Sequence, residues 1–284
     1  MHDVAWIVIF VAAAVTVLSR NRWLSFSLLV IGYGMALADG LLGLAAFIPL
    51  ALLMLAAYIV HSPRLTHVRY AGHVLFIVVA IALSVHWLPG FHNSRVIGPE
   101  RFTADAVPFA MYLNLDKPLI GFWLVLVLPW IQLQRPWRAA ILSGMVVLVI
   151  TAAACLSLAT WLELVAWAPK SPADSLLFLV NNLLLVSFAE EALFRGYLQA
   201  GLARLFKDHR YASALAISTA AFLFGLAHLF EGWQWAAVGG VAGVGYGLAY
   251  HFGGLRTAIM VHFGVNALHF FLFTYPMLQS TVQG

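Results

Sequence analysis

Two adjacent carboxylates in the middle of an oily stretch are the first residues in this sequence with chemistry to offer. Glu190 and Glu191 follow Leu183-Leu184-Leu185-Val186-Ser187-Phe188-Ala189 and precede Ala192-Leu193-Phe194-Arg195. A charged side chain at the centre of a bilayer costs about 2.5–3.5 kcal/mol on insertion scales. Glu190, Glu191 and Arg195 therefore need a reason to be there: an ion pair that joins helices, or a working site. Helix geometry separates their roles. Residues four apart lie on one face, while neighbours diverge by about 100°. Glu191 and Arg195 are placed for an i,i+4 ion pair. Glu190 faces elsewhere, and a carboxylate outside that pair suits a base that takes a proton from water.

Three further polar groups recur on later apolar stretches. Phe224-Gly225-Leu226-Ala227-His228 puts His228 in the second half of an oily run, on the face of Phe224. His262-Phe263-Gly264-Val265-Asn266 carries two polar residues on one face, and His269 extends the stripe. A lone histidine in such a place is more often a hydrogen-bonded packing residue. Taken with the glutamates, His228, His262 and Asn266 are read as inward-facing members of one hydrated site.

The elements that must position these residues are membrane helices. Hydrophobic residues make up 63% of the chain and charged residues 9%, against about 45–50% and about 25% in soluble domains. So little polar surface cannot cover a soluble globule. The net charge of +4 is spread singly or in small groups between apolar runs. It forms no basic patch, so nucleic acid is not an expected partner; the lipid bilayer is. A spanning helix needs about 20 apolar residues. Runs near 4–19, 24–38, 41–60, 72–88, 119–133, 139–164, 175–203, 212–230, 235–251 and 257–274 qualify as candidates. The expected fold class is therefore an all-α polytopic membrane protein of about 8–10 helices. The first run is read as a retained helix, because no basic segment precedes it.

With the N-terminus outside, the inner loops hold Arg20, Arg22, Arg64, Arg69, Arg135, Arg138, Arg204, Lys207, Arg210 and Arg256. The outer loops hold only Arg95, Arg101, Lys117 and Lys170. This asymmetry follows the positive-inside rule. The long polar interruption at 89–118 reads as a connector in preference to a cap over the site. Gly239, Gly243 and Gly247 share one helical face and are assigned to close packing, not to phosphate binding. Trp233, Trp235, Tyr250 and His251 look interfacial. Cys155, the single cysteine, lies in an apolar run and has no internal partner for a disulfide.

Glu190-Glu191-Ala192-Leu193-Phe194-Arg195 fits EExxxR, Phe224 to His228 fits FxxxH, and His262 to Asn266 fits HxxxN. In this order on oily helices, the three motifs resemble the CPBP family, over roughly residues 177–271. That family comprises CAAX prenyl endopeptidases and bacteriocin-processing or immunity proteins. The resemblance implies an intramembrane endopeptidase with a CAAX-protease-like helical core at 175–274, preceded by helices of unclear role over 1–174, in one continuous membrane domain. It implies that Glu190 and His228 activate water, that His262 and Asn266 stabilise the oxyanion, and that Glu191, Arg195 and Phe224 support them.

Glu190, His228 and His262 could also supply a His₂Glu zinc set. No HExxH is present, and a glutamate–histidine mechanism accounts for Asn266 as a donor, so no cofactor is the preferred expectation and Zn²⁺ the alternative. The expected partner is a membrane-associated peptide or protein substrate, and compact loops favour a prokaryotic inner membrane. A transporter would use buried Glu, Arg and His as an ion path, but the sequence lacks paired half-repeats. A non-catalytic immunity or scaffold protein would carry the same residues without turnover.

Overall fold

The computed structural model describes residues 2–19, 21–61, 66–131 and 137–282. Arg20, Arg64 and Arg135 of the loop-charge argument, and residues 132–133 of one expected span, lie outside the described residues. Among the described residues, ten helices account for most of the length: α1 (His2–Leu18), α2 (Arg22–Ala38), α3 (Phe47–His61), α4 (Thr66–Ser84), α5 (Pro118–Val127), α6 (Trp137–Trp161), α7 (Ser175–Leu205), α8 (Ala212–Ala227), α9 (Trp233–Gly253) and α10 (Leu255–Leu272). Each falls on one of the ten apolar runs. Among the described residues, five helical stretches are long and apolar enough to cross a bilayer: Leu44–His61, Thr66–Ser84, Ala140–Trp161, Ser175–Leu205 and Leu255–Leu272. A helix satisfies its own backbone groups, which is what permits such segments in hydrocarbon. The protein is an all-α polytopic membrane protein.

The chain divides into two compact units, 1–94 with 112–129 and 184–189, and 95–111 with 130–183 and 190–284. In the first, α1 pairs with α2 and α3 with α4, and α5 packs on α1, α2 and α3. Pro118 opens α5, where its missing N–H costs nothing. Residues Pro118 to Val125 of α5 are all buried. Ten residues are too few to cross a bilayer alone, so the run near 119–133 supplies a buried packing helix. The Trp123 ring stacks on Phe76 with centroids 4.0 Å apart, and its indole N–H donates to the Leu53 carbonyl at 2.8 Å.

In the second unit, α9 packs against α6, α8 and α10. The glycine face expected of α9 meets α8 in steps of four residues. Gly239 lies against Gly225, Gly243 against Ala221 and Gly247 against Ile217. Two glycines set the turns around α9. Gly232 (φ 114°) starts it, and Gly254 (φ 84°) lets α9 reverse at once into α10. Both lie in backbone regions that L side chains avoid.

The interruption at 89–118 is not a plain connector. It contains two strands, β1 (Ser94–Glu100) and β2 (Phe109–Leu113), paired with each other. Its middle is seated on the C-terminal stretch. The Val107 N–H donates to the Met277 carbonyl at 3.1 Å, and the Gln279 N–H to the Asp105 carbonyl at 2.9 Å. Phe102 and Phe109 join Phe178, Phe270 and Tyr275 in one aromatic cluster at the Ser175 end of α7. The apolar content of this loop is what makes it a cap on α7 and α10, against the expectation of a connector. The Lys170 ammonium donates to the Phe273 carbonyl and ties the same C-terminal stretch down.

Two predictions follow from the packing. An alanine Cβ at 243 would stand 2.8 Å from Ala221 Cα, whereas one at 240 meets nothing within 4 Å. Gly243→Ala should lower stability by about 1–3 kcal/mol in detergent melts, and Gly240→Ala should not; equal tolerance would contradict the close helix contact. Burial pushes the Lys170 ammonium down to about 8, against the pull of Asp105. Because its ordinary value is 10.5, the unfolded chain holds that proton more tightly, and the attachment gains stability as pH rises from about 8 towards 10.5. Hydrogen exchange over 273–281, corrected for the intrinsic pH effect, should slow across that interval; faster exchange would contradict it.

Candidate active site

The site is built on α7, α8, α9 and α10, and every residue singled out by the three motifs lies in the second unit. Its buried foundation is a charge cluster. Glu191 and Arg195 are both 0% exposed, and Arg195 Nη1 lies 3.2 Å from Glu191 Oε1, the expected i,i+4 pair. The same carboxylate oxygen accepts from His262 Nδ1 at 2.8 Å. Arg195 Nη2 donates to the Gly243 carbonyl at 3.2 Å, which the glycine face of α9 leaves accessible. The guanidinium carbon also lies over the rings of Phe224 (4.5 Å), Tyr246 (5.3 Å) and Phe194 (5.7 Å). A desolvated cation–π contact contributes about 2 kcal/mol or more, so these aromatic faces do part of the work that water does for an exposed arginine. Among the described residues, Arg195 Nε and Glu191 Oε2 have no hydrogen-bond partner. The pair is held by charge and ring contacts more than by ideal hydrogen bonds.

Glu190 stands apart from this foundation, as the helix phase requires. Its side chain is 16% exposed, and its Oε2 lies 3.9 Å from His262 Nε2. His262 is therefore flanked by both glutamates, one at each ring nitrogen. Its ring is stacked on Tyr246 with centroids 4.4 Å apart and an interplanar angle of 13°. Phe224 stands between the two histidines, 5.9 Å from the His262 ring and 4.7 Å from the His228 ring. The phenylalanine of the second motif is thus a spacer that sets both imidazoles.

His228 lies one residue past the end of α8, not inside it as its apolar run suggested. The helix stops there because a short 3₁₀ turn, Leu229–Glu231, leads into Gly232. The position frees the ring from the helix stack. His228 Nδ1 lies 2.8 Å from the Phe224 carbonyl. A carbonyl only accepts, so Nδ1 carries the hydrogen and the neutral ring keeps its lone pair on Nε2. A Cβ at Gly239 would come within 3.2 Å of His228 Nδ1, so the glycine also makes room for this ring.

Asn266 Nδ2 donates to Asn182 Oδ1 at 3.3 Å. Asn182, Tyr246 and Gln199, which donates from Nε2 to the Gly247 carbonyl at 3.0 Å, are members of the cluster that the motif reading did not pick out. The obstacle was helix phase. A regular helix would place Asn182 about 80° away from Glu190. Instead α7 contains two wide π-type stretches, Asn182–Ser187 and Ala192–Gln199, and the Ala200 N–H reaches back five residues to the Arg195 carbonyl. One extra residue in the turn brings Asn182 and Glu190 to within about 20° of the same face. Only the asparagine itself, polar in an oily run, was a visible signal.

His269 leaves the expected stripe. Its Nε2 lies 3.1 Å from the Thr274 carbonyl, and its ring contacts Trp235 and Tyr275 in the cap. Trp235 is accordingly a packed residue, not a free interfacial ring, while Trp233 is exposed. Phe270, four residues beyond Asn266, continues the inward face.

The match to known proteins falls on this same segment. A family model described as Type II CAAX prenyl endopeptidase Rce1-like matches residues 172–268, about a third of the chain. Residues 172–268 are similar to the Rce1-like family. The match takes in the EExxxR, FxxxH and HxxxN positions and agrees with the resemblance those motifs carried. No curated protein and no solved structure matched the chain. Within the Rce1-like segment, no three His, Cys, Asp or Glu side chains among the described residues converge to hold a metal ion. The His228 and His262 rings lie on either side of Phe224, and His262 Nδ1 is hydrogen-bonded to Glu191.

The charge cluster predicts a specific stability pattern. Arg195→Met leaves a buried carboxylate without its cation and should cost about 3–5 kcal/mol. Adding Glu191→Gln to Arg195→Met should restore part of that loss in melts of the detergent-solubilised protein. Independent, additive losses would show that the two charges do not compensate each other.

Proposed function

We propose that the protein is an intramembrane endopeptidase of a prokaryotic inner membrane, which hydrolyses a peptide bond of a membrane-associated protein or peptide without a metal ion. The observation that carries this reading is the contrast between two neighbouring glutamates. Glu191 is fully buried against Arg195 and His262, while Glu190 keeps part of its carboxylate accessible beside His262 Nε2.

In the proposed reaction, water lies within reach of Glu190 and His228. As its oxygen attacks the peptide carbonyl carbon, Glu190 takes the proton, with the Nε2 lone pair of His228 orienting the water. The carbonyl π electrons move to oxygen. Asn266 Nδ2–H and His262 Nε2–H then face the oxyanion, in a setting where each preorganised donor contributes about 2.7–4 kcal/mol. Glu190 returns the proton to the leaving nitrogen, the C–N bond breaks, and a carboxylate and an amine leave. The role of His262 requires hydrogens on both ring nitrogens. Glu191, Glu190, Arg195 and imidazolium His262 then sum to no net charge, which suits a cluster this deeply buried. Tying His262 Nδ1 to Glu191 fixes the ring so that only Nε2 faces the reacting atoms.

Comparison of new protein termini in membranes of cells with the wild type and with Glu190→Ala tests the reading and identifies the substrate. Termini that depend on Glu190 are expected. Purified Glu190→Gln should lose about 10²–10⁴-fold in kcat, the range of a general base, and a chelator should leave wild-type turnover intact. Full activity of Glu190→Gln, or loss on chelation with recovery on adding zinc, would overturn the metal-free glutamate mechanism.

A further inference from the structure

We propose that Asn182 is a positioning residue for Asn266: it accepts one hydrogen of the Asn266 amide and so turns the other towards the carbonyl oxygen of the scissile bond. The proposal deepens the endopeptidase reading above and rests on it. An asparagine side chain has a broad, loosely held terminal torsion. Left alone, the amide of Asn266 can present its oxygen as readily as its nitrogen, and an oxygen aimed at an oxyanion repels it. An acceptor on the far side removes that choice. Asn182 Oδ1 is such an acceptor, 3.3 Å from Asn266 Nδ2. Asn182 is buried, while Asn266 is only partly so, so the inner residue anchors and the outer one reaches the cleft. In a low-dielectric surrounding this hydrogen bond is stronger than it would be in water.

The neighbours of the pair argue that its task is orientation and not cohesion. Helices α7 and α10 meet in matched steps. On one side of the asparagines, the Phe178 and Phe270 rings stack with centroids 3.8 Å apart and an interplanar angle of 10°. On the other, Glu191 and His262 are hydrogen-bonded at 2.8 Å. The two helices are thus fixed both above and below, and the amide pair is not needed to hold them together. The wide turn Asn182–Ser187 gives Asn182 this alignment, since a regular helix would carry it off the face that Glu190 uses.

The test uses the full-length protein in proteoliposomes and an internally quenched, farnesylated peptide ending in Cys-aliphatic-aliphatic-X. Asn182→Ala should lower kcat about tenfold, in the range typical of an outer orienting partner, with KM within about twofold and the melting temperature unchanged. Asn182→Asp, which keeps an acceptor in the same shape, should recover most of the loss. In an Asn266→Ala background, Asn182→Ala should cost less than about twofold more, because the group it orients is gone. Losses that multiply, a change confined to KM or melting temperature, or an Asp variant as poor as Ala would overturn the proposal. Inactive Glu190→Gln beside a fully active Asn182→Ala would sink this assignment alone. A wild type without Glu190-dependent turnover would remove the endopeptidase reading, and this assignment with it.

Discussion

A charge placed inside hydrocarbon must be neutralised on the spot, because no water is available to do it. In this protein the requirement falls on Arg195, a fully buried guanidinium. Its partners come from three helices other than by accident of sequence: Glu191 from its own helix, the Gly243 carbonyl and Tyr246 ring from α9, and the Phe224 ring from α8. Glu191 then draws in His262 from α10. The neutralising contacts of one arginine therefore bring together all four helices that carry the proposed site. Glu190 keeps part of its side chain exposed, while Glu191 beside it is fully buried in this cluster.

The same contacts explain why α9 is rich in glycine although it carries no motif residue. A side chain at Gly243 would hold α8 away, and the Gly243 carbonyl accepts from Arg195. Gly247 packs on Ile217 while its carbonyl accepts from Gln199, and Gly239 leaves space for the His228 ring. Small residues are a common means of close helix approach in membranes, where the hydrophobic effect does not press helices together. Here each glycine serves packing on one side and a polar contact on the other, which links the fold to the site position by position.

Much of this was legible in sequence. The ten apolar runs each became a helix, and the Glu191–Arg195 pair followed from 3.6-residue periodicity alone. The three motifs pointed to the same family that segment 172–268 is similar to. What was hidden was hidden for physical reasons. Asn182 is brought to the Glu190 face by a wide turn that no periodicity rule encodes, and His269 leaves its stripe because α10 ends in a cap that binds its ring. The loop at 89–118 passed for a connector because its charges balance, while its phenylalanines, which seat it on α7 and α10, are scattered along it. His228 was assigned to a helix interior, yet it lies at a helix end, where Leu229–Glu231 and Gly232 release the chain.

These contacts lead to one spatial claim: a reacting carbonyl is held between Glu190 on one side and Asn266 with His262 on the other. The most direct measurement is an experimental structure of the full-length protein with a peptide aldehyde bound as its hydrate. The account predicts one hydroxyl of the hydrate within hydrogen-bond distance of Glu190, the other facing Asn266 Nδ2 and His262 Nε2, and His262 Nδ1 still on Glu191. A hydrate bound elsewhere, or a Glu190 carboxylate turned to the acyl chains away from His262 and His228, would contradict it.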